Sequence, residues 1–189
     1  MNTNKKNVDA IYRETLEEVL KGDELRYRAL FESSADALMT LEPPAWSFTD
    51  GNAAALKMFG AKDKTEFTAN GPWNLSPEKQ PDGRLSHEKA KEMINAAMHD
   101  GSHFFEWTHR RLNGEEFPAT VLLARIDLCD QSIIEATVRD VTKEKIADHL
   151  LIKEKSEEVE KMNRLMKKHE IEKNELRSEI EEIRRKLQK

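Results

Sequence analysis

Three places in this chain carry residue types that do chemistry. His169-Glu170 pairs a histidine with a carboxylate as a phosphoacceptor site does. A histidine box would continue into an Arg/Asn-x-Pro segment, and an ATP-binding domain would add glycine-rich loops. The chain holds no Gly-x-Gly and ends at Lys189, so autophosphorylation is not expected. Cys129 is the only cysteine, which leaves no internal disulfide and no multi-cysteine metal site, and fits a reducing compartment. Asp140-Val141-Thr142 is the third place, and its chemistry is hydrogen bonding. Thr142 stands where a helix N-cap is expected, its hydroxyl available to a free backbone N–H.

The elements around that triplet give it a purpose. Ile133 to Val138 has the apolar and β-branched content of a buried strand, and a long charged helix follows. No Gly or Pro separates them, so a shift of the strand has little slack in which to dissipate before it reaches the helix. Residues 138–146 are therefore the expected output point.

Upstream, Val8, Ile11, Tyr12, Leu16, Val19 and Leu20 recur at helical spacing, with Gly22 as a stop and Asp23 as a new cap. A short helix through Leu25, Leu30 and Phe31 follows, covering a sheet face or making a dimer contact. Strands are expected at 37–41 and 46–49, with Pro43-Pro44 as the bend between them. Asn52 caps a helix that Gly60 ends, and further helical turns follow near Phe67 and Trp73. Ser76-Pro77-Glu78 reads as a helix start, and a longer helix spans Ser86 to His99 with Ala90, Met93, Ile94, Ala97 and Met98 on one stripe. Strands at 103–108, 117–126 and 133–138 close the order, Asn113-Gly114 making a tight turn with φ > 0 at both positions and Cys129 lying at an exposed tip. Strands at the two ends with helices between them predict an α+β domain, an antiparallel five-stranded sheet with helices on one face.

Composition narrows the class. The net charge is -5, with 35% charged residues of interleaved sign, so no basic field attracts nucleic acid. The first residues form no apolar signal segment and no stretch approaches a membrane span, so a cytoplasmic protein is expected.

The order of elements resembles a PAS domain. Residues 27–37 resemble the usual opening of that family, and Asn52-Ala53-Ala54 with Met58-Phe59-Gly60 resembles its first helix. Leu75-Ser76-Pro77-Glu78, Gln80-Pro81-Asp82-Gly83 and the run from Phe105 to Pro118 look like a subgroup found in bacterial and archaeal sensor histidine kinases. Asp140-Val141-Thr142 matches the Asp-x-Thr motif that closes many PAS domains. The resemblance covers about two-thirds of the chain. It implies a ligand or cofactor pocket between the sheet and the long helix, dimerisation, and relay through Asp140 and Thr142 to an effector.

The pocket's contents do not follow from the family. Flavin photochemistry of the light-sensing type needs a cysteine in an Asn-Cys-Arg-Phe-Leu-Gln-like helix, which this chain lacks. Haem needs an axial ligand, for which His87 near the Ala90 and Ile94 stripe is the candidate, against its reading as an exposed first-turn histidine. Haem is thus disfavoured and the cofactor stays open. The candidate lining is Phe48, Leu56, Met93, Ile94, Phe105 and Trp107, residues that equally suit plain core; as pocket walls they would take a small organic ligand.

In the charged helix, Val159, Met162, Met166, His169, Lys173, Leu176, Ile180, Ile183 and Leu187 alternate by three and four with Glu and Lys/Arg on the flanks, the seam of a parallel homodimeric coiled coil. His169 and Lys173 either permit two registers or snorkel to the edge. The expected organisation is an N-terminal amphipathic helix at 1–23, a PAS domain at 24–143 and a signalling coiled coil at 144–189. The expected protein is a dimeric, non-enzymatic sensory module of a two-component type, the input part of a histidine kinase being one form it takes. The alternatives are a ligand-free dimerisation adaptor and a haem-based gas or redox sensor.

Overall fold

The computed structural model describes the backbone of residues 3–187 and the side chains of residues 18–186. Helix α1 (Thr3–Ser33) is followed by strands β1 (Ala37–Glu42) and β2 (Ser47–Gly51), helices α2 (Ala53–Phe59), α3 (Lys64–Thr68) and α4 (Ser86–Asp100), strands β3 (Ser102–Arg110), β4 (Glu116–Asp127) and β5 (Ser132–Asp140), and helix α5 (Thr142–Leu187). The five strands form one antiparallel sheet in the order β2-β1-β5-β4-β3, so the last strand lies between the first and the penultimate one.

The sheet is two-faced because its strands alternate. In β4 the buried positions are Phe117, Ala119, Val121 and Leu123, and their neighbours turn outward. Against the buried face lie Ala55 and Phe59 of α2, Phe67 of α3, and Ala90, Ile94 and Ala97 of α4, all within one core. The five-stranded antiparallel sheet with helices that the sequence predicts is present.

Local signals explain most boundaries. Asn52 Oδ1 accepts from the N–H of Ala55 at 2.8 Å and from that of Leu38 at 3.1 Å, joining the helix cap to β1. Gly60 (φ 75°) and Gly101 (φ 89°) end α2 and α4 in the left-handed region that a Cβ disfavours.

Four local expectations are corrected. Gly22 does not end a helix: α1 runs through it, because glycine stops a helix only by turning left-handed, and strong helix formers flank it on both sides. The apolar stripe at Val8, Ile11, Tyr12 and Leu16 lies outside the described side chains. Ser76-Pro77-Glu78 starts no helix; Ser76 is buried and its hydroxyl donates to Pro72 O at 2.6 Å. The Asn113-Gly114 turn has positive φ only at Gly114. Arg111 N–H donates to Glu115 O and Gly114 N–H to Arg111 O, making a longer loop with a left-handed glycine. Finally, α5 begins at Thr142, so Thr142 is inside the first turn and the cap lies before it.

The chain divides into two units between Thr142 and Lys143. In the second unit, every described residue from 143 to 186 is exposed, including Val159, Met162, Met166, Leu176, Ile180 and Ile183 of the expected seam. His169 and Lys173 are exposed among them, and the side chain of Leu187 lies outside the described residues.

Candidate functional site

Between α4 and the buried face of the sheet lies a cavity of about 40 Å³. Phe48 of β2, Ala90 and Ile94 of α4, Phe105, Trp107 and His109 of β3, and inward side chains of β1, β4 and β5 form its wall. Of the six lining candidates, Phe48, Ile94, Phe105 and Trp107 reach it. Leu56 and Met93 pack on the core without lining the cavity. Helix phase explains Met93: Ala90, Ile94 and Ala97 take the sheet-facing stripe, and Met93, one residue off, turns its sulfur to His103 Nε2 at 3.2 Å. His87 is exposed on the first turn of α4 and is not part of the wall. Among the described residues no cluster of three or more His, Cys, Asp or Glu could hold a metal ion.

Two side-chain networks hold β3 in place. Trp107 Nε1 donates to Ser76 Oγ at 2.9 Å, which fixes the indole against the cavity, while Lys89 Nζ sits 5.6 Å from the ring centroid. Gln80 pairs with the backbone of Thr108: its Nε2 donates to Thr108 O at 3.1 Å and its Oε1 accepts from Thr108 N–H at 2.9 Å. Gln80 Nε2 also donates to Ser86 Oγ at 2.9 Å, joining β3 to the start of α4.

His109 is the one polar residue in the wall that the sequence reading passed over. The signal was there, because Phe105, Trp107 and His109 share one face of a strand with period two. Its ring meets Phe59 edge-on at 5.1 Å and stacks on Phe117 at 5.7 Å. Nδ1 lies 3.0 Å from Leu75 O, so Nδ1 carries the proton and donates, and Nε2 is a bare acceptor. That Nε2 is buried and has no hydrogen-bond partner. Burial pushes the imidazole pKa down to about 4 against the opposing bond to Leu75, so the ring is neutral at physiological pH.

The exit from β5 is the second candidate site. Asp140 Oδ1 accepts from Thr142 N–H at 2.9 Å and from the Thr142 hydroxyl. The Asp140 carboxylate, on the last residue of β5, thus takes the capping bonds from Thr142, the first residue of α5, and the Thr142 hydroxyl donates to it instead of capping the helix itself, which corrects the expected assignment. Asp140 Oδ2 accepts from Arg111 Nη2 at 2.6 Å, and Arg111 also donates to Met58 O and lies 3.9 Å over the Phe117 ring. Burial of the Asp140 carboxyl is outweighed by the bonds from Thr142 and Arg111, which hold its pKa below the usual carboxylate range. Arg111 was not foreseen. It ties the strand exit to the β3–β4 loop and to the end of α2.

A family model described as PAS domain matches residues 38–143. The PAS domain of an HTR-like protein from Haloarcula marismortui shares 22% identity and superposes with a TM-score of 0.55 over 67% of this chain and 98% of its own. A PAS domain from a two-component sensor histidine kinase shares 15% identity, with a TM-score of 0.51 over 62% and 98%. One from Colwellia psychrerythraea shares 19% identity, with a TM-score of 0.53 over 63% and 98%. At these identities the likeness is one of fold. No curated protein matches the chain.

Proposed function

The chain belongs to the PAS domain family, and from that premise we propose that it is a dimeric sensory module that binds a small molecule and relays its presence through the exit strand to a coiled coil. The observation that carries this reading is the cavity between α4 and the sheet, whose wall is apolar except for His109. An apolar void with a single buried polar group suits a small organic ligand. In this reading residues 24–143 form the sensory domain and 144–189 the coiled coil, and the N-terminal helix expected at 1–23 is continuous with the domain's first helical segment in α1.

The relay starts at Phe105, Trp107 and His109, which share a strand with the loop that presents Arg111. Arg111 holds Asp140, and Asp140 caps the next helix through Thr142. The output is pairing along Val159, Met162, Met166, Leu176, Ile180 and Ile183, each more than half exposed in the single chain. A cytoplasmic effector, as in a two-component system, reads that pairing. No described helix is long and apolar enough to cross a membrane.

Native mass spectrometry of freshly purified protein tests both halves at once. A dimer with added mass is the expected result. A clean dimer would favour a ligand-free adaptor, and a monomer would sink the relay.

A further inference from the structure

We propose that Nε2 of His109 is the polar anchor of the cavity, accepting a hydrogen bond from a small neutral ligand that carries one N–H or O–H on an otherwise apolar body. This rests on the reading of the cavity as a ligand site and specifies what enters it.

A buried acceptor without a partner costs about 1–3 kcal/mol, so native proteins rarely leave one unmatched. Among the described residues that are not exposed, His109 Nε2 is the only fully buried side-chain nitrogen or oxygen left without a partner. The ring cannot escape by changing tautomer, because Nδ1–H is committed to Leu75 O and its other neighbours are aromatic faces and edges. The indole N–H of Trp107 does not compete for the ligand, because it donates to Ser76 Oγ.

Charge and size define the ligand further. No carboxylate, lysine or arginine lines the cavity, so neither a cation nor an anion would recover its hydration there. The imidazole stays neutral down to about pH 4 and offers an acceptor rather than a donor. A void of about 40 Å³ admits a molecule of only a few heavy atoms, or a slightly larger one if half-buried Phe105 swings aside.

Pyrrole and furan test this directly, since they are nearly the same size and shape and only pyrrole has a donor. Each is titrated into the ¹⁵N-labelled full chain while the side-chain resonances of His109 are followed. Pyrrole is expected to bind about tenfold more tightly than furan, the size of one net hydrogen bond, and to move the Nε2 resonance upfield. In His109→Phe, which keeps the ring stacking and leaves Leu75 O its bond from Arg110 N–H, the ratio should fall to about one. If that variant does not fold, the wild-type ratio and resonance still decide.

Equal binding of the two with Nε2 unmoved would overturn the anchor while leaving a ligand cavity. An Nε2 resonance already hydrogen-bonded in the free protein and unchanged by pyrrole would assign the acceptor to a buried water, and would also overturn it. Binding of neither probe up to its solubility would overturn the anchor and the ligand-site reading together.

Discussion

The two units of this chain satisfy their apolar residues in opposite ways. In the first, Phe59, Phe67 and Ile94 are at most 2% exposed. In the second, Leu176, Ile180 and Ile183 are each more than half exposed. The first unit buries one core between sheet and helices, although Leu20, Leu25 and Leu30 of α1 and Phe104 of β3 stay exposed. The second presents a stripe whose burial requires another surface, because most helical stability in proteins comes from packing an apolar face and not from propensity. One unit thus has a core of its own, and the proposed coiled coil is what would cover the stripe of the other.

Substitutions can break that contrast in graded steps, and the three tryptophans assist because Trp46, Trp73 and Trp107 all lie in the first unit. Fluorescence reports the sensory unit, whereas far-ultraviolet circular dichroism includes α5. The largest effect is expected from Phe59→Ala, which removes a fully buried ring and should cost about 3–5 kcal/mol. In urea, the fluorescence midpoint should drop while the concentration dependence of dimerisation is unchanged.

Acid should act on the first unit next. His109 has a folded pKa of about 4 against an ordinary value of 6.5, so the unfolded chain binds the extra proton first. Its stabilisation is full above pH 6.5 and is lost as pH falls to about 4, in total about 3 kcal/mol. Urea midpoints between pH 7 and 4 should decline, and His109→Phe should flatten most of that slope.

Ile180→Glu addresses the second unit alone. A charge in the seam should weaken dimerisation at least about a hundredfold in analytical ultracentrifugation, with unchanged tryptophan unfolding. Asp140→Ala removes a cap and the partner of Arg111, costing about 1–3 kcal/mol. Hydrogen exchange should rise first at the N–H groups of 142–145. The smallest change is Gly22→Ala: the added Cβ meets nothing within 4 Å, and α1 should gain about 0.5–1 kcal/mol, visible as a rise in helical signal.

What the sequence made legible follows from the range of the interactions involved. The capping bonds of Asn52, Gly60 and Gly101 reach atoms within a few residues, so the caps could be read directly, whereas the bonds of Asn52 to Leu38, Phe31 and Asp36 could not. The alternation of Phe117, Ala119, Val121 and Leu123 likewise announces a half-buried strand. Arg111 escaped because its partners, Met58 O and Asp140, are remote in the chain, and a surface-type residue beside a hairpin loop gives no local sign of them. His109 escaped for a different reason: period two placed it on the inner face, but a histidine among polar residues invites no core assignment. Leu56 and Met93 show the limit of helix stripes, which tell which residues pack but not which of them border a void.

The pairing of Gln80 with Thr108 has a consequence for how copies of this protein can meet. β3 is an outer strand of the sheet, and an outer strand is a template on which a stray chain can add. At Thr108 both the backbone donor and the acceptor are taken by one side-chain amide, and the N–H of Arg110 is taken by Leu75 O. Gln80 imitates a peptide group, so this stretch of edge is already occupied and cannot recruit a foreign strand. Growth of the sheet is blocked at that stretch of β3 by a single residue with the right two atoms.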